Sequence, residues 1–164
     1  MEVIRMTVNL TERMKAWVEA MGCHLCVATP EGVPFVVLGR YARATADGEV
    51  AFALAEDEAG VIAPVLSRNP RVAFGVSRQG GIRAAYQFKG TGELLRSGEI
   101  FDAVRARAKE EKGIDAGAVL LVRLTELYCT KPGYEAGLRL DGMTPEELDA
   151  WERQRWKDVP RKRN

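Results

Sequence analysis

The most reactive side chains of the sequence lie close together in the segment Cys23-His24-Leu25-Cys26. Two cysteines spaced C-x-x-C can hold a metal ion or form a redox pair when further ligands or a lowered thiol pKa support them. The segment is predicted to be a strand, in which positions three apart point to opposite faces. Cys129 is the one remaining thiol and His24 the one histidine, so no four-ligand metal site or histidine-based triad can be assembled in one chain. We therefore expect no metal site and ordinary buried or half-buried cysteines.

Two charged clusters are candidates for contact with an ionic ligand. Arg40 and Arg43 flank Tyr41 in a β-rich segment, and the planar guanidinium group of arginine suits a phosphate. Their odd spacing keeps both from pointing to one face of a regular strand, and a solvated strand edge is the alternative for both. The acidic run from Glu56 to Glu58 is able to bind a cation. A solvated first helical turn is its expected role, because carboxylates stabilise a helix N-terminus.

The overall composition is that of a soluble globular protein. A chain of 164 residues fits one domain and is long enough to bury a core without disulfides. The formal net charge of +1 argues against a large basic nucleic-acid-binding face covering the whole domain, and no apolar stretch is long enough to span a bilayer. The N-terminus has no signal-peptide pattern, so we expect a cytoplasmic protein with free thiols and with neither membrane nor nucleic acid as a partner.

Hydrophobic periodicity predicts the order helix, three strands, helix, two strands, helix, strand, helix. The predicted helices cover 10–21 and 56–67, a third begins after a cap at Ser97, and the last begins at the capping box Thr144-Pro145-Glu146-Glu147. The predicted strands cover 23–29, 33–44, 50–54, 71–77, 82–95 and 118–127. Consecutive strands of this kind suit a small barrel with helices over its ends, so the expected fold is α+β, mainly β, with an antiparallel β-barrel and flanking helices.

The domain organisation is predicted to be simple. Residues 1–143 form the barrel domain, and 144–164 form a C-terminal helix and basic tail packed on the same domain. Trp151 and Trp156 are expected to pack on the barrel or across a dimer, and the basic residues of the tail to keep it solvated. The position of this helix also allows a role as a lid or a dimer arm.

Several segments follow one another in the order found in a known family. They are the hairpin CHLCVATPEGVPFVV, the strand ADGEVAFAL, the helix end and strand entry LSRNPRVAFGV, and the strand AAYQFKGTGEL followed by FDAVRARAKE. Over residues 10–127 the sequence thus resembles the FMN-binding split-barrel family, which includes pyridoxamine 5'-phosphate oxidase. The resemblance implies an antiparallel split β-barrel.

The resemblance also implies a homodimer that holds FMN in grooves between its subunits and acts as an oxidoreductase on an unknown substrate. The flavin would supply the chemistry, so no catalytic side chain is named. The implied cofactor-binding residues are Val37, Leu38, Gly39, Arg40, Tyr41, Arg43, Gln87 and Lys89. For Tyr41, a place in the core or in the dimer interface is the alternative.

The sequence departs from the family at the phosphate anchor, which is a Lys or Arg with a Ser or Thr at a helix start. Residues 56–62 have the sequence EDEAGVI, and its carboxylates repel a phosphate and occupy the helix N-terminus. Either arginines elsewhere hold FMN, or the groove binds riboflavin, a deazaflavin, haem or no ligand. Oxidation of pyridoxamine 5'-phosphate is not expected, because no second basic cluster fits that phosphorylated substrate.

Overall fold

The computed structural model describes residues 7–77, 85–131, 133 and 135–156. Its helices are α1 (Glu12–Met21), α2 (Glu56–Arg68), α3 (Glu99–Lys112) and α4 (Pro145–Trp156). Its strands are β1 (Cys23–Ala28), β2 (Pro34–Gly39), β3 (Tyr41–Ala46), β4 (Glu49–Leu54), β5 (Arg71–Ser77), β6 (Ala85–Leu95) and β7 (Ala118–Cys129). None of these helices is long and apolar enough to cross a bilayer. The turn predicted between β5 and β6 and the basic tail beyond residue 156 lie outside the described residues.

All seven strands form one antiparallel sheet in the order β2-β1-β5-β6-β7-β4-β3. The two edge strands, β2 and β3, are consecutive in the sequence, so the sheet curls into a half-barrel. A β-bulge at Lys89 and Gly90 adds to the curvature of β6. A Cβ atom on Gly90 would lie 2.1 Å from the carbonyl oxygen of Arg123, so the bulge requires glycine there. The predicted antiparallel, mainly β fold with flanking helices is confirmed.

The prediction of a single strand over 33–44 is wrong. The segment breaks at Arg40 into β2, which pairs with β1, and β3, which pairs with β4 at the opposite edge of the sheet. Just before the break, Gly39 packs so closely that a Cβ atom would lie 2.8 Å from Cδ1 of Phe52. Strand-forming residues continue through the break, so the local sequence does not reveal that the chain changes partner there.

The core lies on the concave side of the sheet. Val72, Phe74 and Val76 of β5 are buried, which confirms the predicted apolar face of this strand. The Phe74 ring stacks on Phe88 with centroids 4.9 Å apart, and Phe52 meets Phe74 edge-on at 4.9 Å. These offset and edge-to-face contacts between aromatic rings add to the free energy of burial.

The helix ends follow the sequence signals with one exception. The Thr11 hydroxyl caps α1 by accepting a backbone N–H at 3.1 Å. The capping box of α4 is confirmed, since Thr144 N donates to Glu147 at 2.8 Å and Glu147 N donates to Thr144 at 3.2 Å. The predicted cap of α3 at Ser97 is wrong. Gly98, with a φ of 100°, holds that position and offers no side chain, so the start of α3 has no side-chain cap.

A buried carboxylate joins α4 to α1. Leu148 of α4 lies in the core, and Glu152, one turn further on, is only 2% exposed. Glu152 accepts a hydrogen bond from the Thr11 hydroxyl at 2.6 Å and forms an ion pair with Arg13 at 3.2 Å. Burial nevertheless raises the pKa of Glu152 above its usual value of 4.5. The contact fixes α4 against the barrel at the cost of a desolvated charge.

Replacing Glu152 with glutamine should make stability less dependent on pH. Because the folded state raises the pKa, the folded protein binds more protons than the unfolded chain between 4.5 and that raised pKa. Wild-type stability is therefore greatest below this window and falls as the pH rises through it, whereas Glu152→Gln lacks this dependence. Denaturant unfolding between about pH 4 and pH 8 measures the difference, with Glu146→Gln at an exposed site of α4 as control. Parallel curves for wild type and Glu152→Gln would contradict the prediction.

Candidate functional site

The convex face of β1, β5 and β6, which points away from the core, contains a cleft of about 560 Å³. The cleft is deep because the small residues Ala73 and Gly75 of β5 lie between larger side chains on the neighbouring strands. Those neighbours are Cys26 of β1 and Gln87 of β6. We call it the glycine cleft; side chains and backbone that line it include those of His24, Cys26, Ala73, Gly75, Ser77 and Gln87. Its volume falls in the range of ligand and cofactor sites.

A second cleft, of about 480 Å³, lies on the same face of the sheet. Arg71 of β5 and Lys89 and Thr91 of β6 line it, and Cys26 and Ala73 border both clefts. We call this second cleft the basic cleft, and the two together the outer groove. Side chains alternate along β5, so its odd-numbered residues face the groove while the even-numbered ones fill the core.

Exposed hydrophobic side chains border the outer groove on the edge strand β2. Val36 is 57% exposed and Leu38 39% exposed. They pair in register with Cys26 and His24 of β1 and so lie on the same face of the sheet. We call Val36 and Leu38 the apolar margin. Exposed apolar side chains that adjoin one another can form part of a surface that contacts a partner or a ligand.

Three of the predicted cofactor-binding residues face the outer groove. Gln87 lies in the glycine cleft, Lys89 lies in the basic cleft, and Leu38 is part of the apolar margin. The Lys89 ammonium group lies 3.8 Å from the carboxylate of Glu126 and 4.7 Å from the centre of the Tyr128 ring. The structure thus brings together the predicted residues of β6 and one residue of β2.

Three other predicted residues are buried. Val37 belongs to the main core, Gly39 packs on that core, and Tyr41 lies in a second hydrophobic cluster beneath α3. The Tyr41 hydroxyl donates to Glu111 at 3.0 Å, and burial raises the pKa of Tyr41. Tyr41 therefore occupies a core position, the alternative that the sequence left open. The cofactor contacts of Val37, Gly39 and Tyr41 stay predictions.

The two predicted phosphate-binding arginines both face carboxylates. Arg40 lies 3.5 Å from Glu58, and Arg43 lies 3.8 Å from Glu111. A hydrogen bond with Tyr41 raises the pKa of Arg43 above the usual value for arginine. Arg43 lies on β3, at the edge of the sheet opposite to β2, whereas Arg40 directly follows β2, and its backbone lies close to Gly22, which lines the glycine cleft. Their role as phosphate ligands stays a prediction.

The carboxylates in the first turn of α2 already have partners within the protein. The Glu58 carboxylate accepts the backbone N–H of Ala55 at 3.1 Å, and Glu56 pairs with Arg96 at 2.7 Å. Glu56 and Asp57 are exposed, which confirms the predicted solvated helix start. Among the described residues, no group of three or more His, Cys, Asp or Glu side chains is placed to hold a metal ion.

The cysteines lie as predicted on opposite faces of β1. Cys23 is buried as expected, whereas Cys26 is exposed, so the expectation of a buried or half-buried side chain is wrong for Cys26, which points to the convex face. Burial raises the pKa of the Cys23 thiol to about 12, so this cysteine stays protonated and unreactive. His24 and Cys26, two residues apart, both line the glycine cleft. The sequence signal for this pair was their even spacing on a strand, which places both side chains on one face.

The fold was compared with the folds of known proteins. No protein-family model matches the sequence, and no curated protein matches it either. Solved structures do match: HupZ from Group A Streptococcus has a TM-score of 0.64 at 20% identity, covering 78% of this chain and 99% of HupZ. An FMN-binding protein from Syntrophomonas wolfei has a TM-score of 0.56 at 14% identity, covering 71% of this chain and 84% of that protein. This chain has the split-barrel fold.

Split barrels similar to this one differ in the ligand named for them. The haem storage protein HutZ from Vibrio cholerae matches with a TM-score of 0.52 at 16% identity, covering 74% of this chain and 94% of HutZ. Solved split barrels of comparable similarity thus include an FMN-binding protein and a haem storage protein. The fold alone does not choose between such ligands, so the choice must come from the residues of the groove.

Proposed function

We propose that this protein binds a flavin-class cofactor in the outer groove, at the interface of a homodimer, and uses it in an oxidation–reduction reaction. The observation that carries this proposal is the low floor of the glycine cleft, where Ala73 and Gly75 leave the strand backbone accessible. A planar ring can lie flat against such a floor, and hydride or electron transfer is the chemistry that a bound flavin supplies. The protein's part is to bind and orient the ring and to exclude water.

The residues of the groove have distinct expected roles. Gln87 offers both a donor and an acceptor for the polar edge of a ring in the glycine cleft. Lys89 provides a positive charge that favours an anionic group nearby, and Leu38 covers the apolar part of the ligand. The remaining predicted contacts are Val37 and Gly39, which support β2 from the core side, and Arg40, Tyr41 and Arg43, which would have to exchange their present carboxylate partners for the ligand.

The homodimer is supported by the apolar margin. Val36 and Leu38 stand exposed beside a groove that is open on one side. A second copy of the chain that covers this face would bury the margin and close the groove around a ligand, and burial of apolar area would drive the association. Sedimentation equilibrium that gives a monomer at micromolar concentration would contradict this part of the proposal.

Haem is the second candidate ligand. His24 and Cys26 carry an imidazole and a thiol, both of which are known ligands of haem iron, and both line the glycine cleft. The carboxylates beside Arg40 and Arg43 also favour a ligand without a phosphate at that end of the molecule. An iron–imidazole bond would then hold the ligand in place of a phosphate contact.

The first experiment is a visible absorption spectrum of the protein purified without added cofactor, followed by release of the chromophore and its identification by mass. A flavin spectrum with FMN or riboflavin in the released fraction is the expected result. A Soret band that a His24→Ala variant loses would replace the flavin proposal with the haem candidate. A colourless protein that takes up neither flavin nor haemin would contradict both candidates.

A further inference from the structure

The basic cleft contains a cation that no carboxylate of the described residues neutralises. Arg71 is exposed at the start of β5, and it forms no ion pair with any residue in the part of the chain that the structure describes. The contrast with Arg40 and Arg43 is direct, since each of those side chains faces a glutamate. Arg71 therefore keeps its full charge and all its donors for a ligand.

A second cation and a hydroxyl lie beside Arg71 on the same face. In the pairing of β5 with β6, Arg71 lies opposite Thr91 and Ala73 lies opposite Lys89. Side chains directly across a strand pair are about 5 Å apart at Cβ and diagonal ones about 7–8 Å apart. The long side chains of Arg71 and Lys89 can therefore converge on a single anion, with the Thr91 hydroxyl as a further donor.

Among the described residues that line the basic cleft, the one acidic side chain already has a hydrogen-bond partner. Glu126 accepts a hydrogen bond from the Tyr128 hydroxyl at 2.5 Å. Its contact with the Lys89 ammonium group is long, at 3.8 Å. With Arg71 and Lys89 against this single carboxylate, the cleft has a net positive charge, which attracts an anion.

We propose that Arg71 and Lys89, together with the Thr91 hydroxyl, bind the phosphate of FMN in the basic cleft. This inference rests on the proposed flavin-binding function and deepens it. The site takes the place of the anchor that the family resemblance implies at the start of α2, where the Glu58 carboxylate already accepts the backbone N–H of Ala55 and Glu56 pairs with Arg96.

The geometry of β5 allows one flavin to fill both clefts. Successive residues of a strand rise about 3.4 Å, so Gly75 at the floor of the glycine cleft and Arg71 are about 14 Å apart. A flavin ring that lies over Gly75 and Ala73 can extend its ribityl chain along β5 toward Arg71. The extended Arg71 side chain then covers part of the distance between the end of that chain and the backbone of residue 71. Cys26 and Ala73, which border both clefts, mark the path.

Fluorescence titrations with FMN and with riboflavin test this site, because the two flavins differ only in the phosphate. The wild-type protein should bind FMN more tightly than riboflavin. Arg71→Ala and Lys89→Ala should each weaken FMN binding by about tenfold and leave riboflavin binding unchanged. The control is Arg105→Ala on α3, which removes an exposed arginine whose guanidinium lies 5.8 Å from the Phe101 ring centre and away from the groove; it should change neither affinity.

The outcomes separate this site from the flavin proposal itself. Equal affinity for the two flavins, or FMN binding that neither variant weakens, would overturn the phosphate site and leave flavin binding intact. An equal loss of FMN and riboflavin binding in both variants would also overturn it, since that result indicates a structural role. If the wild-type protein binds neither flavin, the proposed function fails and the phosphate site fails with it.

Discussion

Replacing Phe88 with alanine is expected to lower the free energy of unfolding by about 3–5 kcal/mol. Phe88 has no exposed surface, and its ring stacks on Phe74 with centroids 4.9 Å apart. Truncation to alanine removes that contact and leaves a cavity between the concave face of the sheet and its helices, which a rigid sheet cannot fill by relaxing. Urea unfolding followed by circular dichroism measures the loss.

The matched control is Phe35→Ala on the edge strand β2. Phe35 is 36% exposed, so its truncation should cost about 1 kcal/mol or less. Equal losses in the two variants would mean that the pairing of Phe88 with Phe74 does not dominate the core. The comparison also separates general loss of an aromatic side chain from loss of this particular packing.

Replacing Ala73 with tryptophan is expected to weaken flavin binding about ten- to a hundredfold, the equivalent of roughly 1–3 kcal/mol of steric overlap. Ala73 lies on the convex face at the junction of the glycine cleft and the basic cleft. An indole there fills the floor on which a planar ring is proposed to lie, while the even-numbered residues that form the core are untouched. Titration with FMN measures the change in affinity.

Ala106→Trp is the matched control for the blocked groove. Ala106 is exposed on α3, so the same substitution adds the same apolar surface without entering the outer groove. It should leave flavin affinity unchanged. Undiminished binding in Ala73→Trp, with thermal unfolding like that of the wild type, would place the ligand elsewhere on the molecule.

The elements of the fold were largely predictable because each has a local cause. The alternation of Val72, Phe74 and Val76 defines a half-buried strand, and Thr144 with Glu147 defines a helix start. The break at Arg40 has no such local cause. It depends on β2 pairing with β1 while β3 pairs with β4, and pairing between distant segments is decided by the whole core rather than by the residues at the break.

The candidate site was predictable only in part. The alternation along β6 places Gln87 and Lys89 on one face, and the family resemblance gave that face a role. Arg71 was missed, although it lies on the same face of β5 as the small residue Ala73. A groove forms where small residues on one strand lie between larger ones on its neighbours, and strand order, which a single sequence does not specify, decides those neighbours.

The edge strand β2 has a consequence for handling the protein. Its sequence PFVVLG has no charged residue, and one side of its backbone has no partner in the sheet order of the described strands. Natural edge strands usually carry charges that prevent other strands from pairing with them. β2 is therefore the segment through which copies of the chain are expected to pair edge to edge and aggregate. Heating that loosens this edge of the sheet should therefore cause aggregation before the core unfolds.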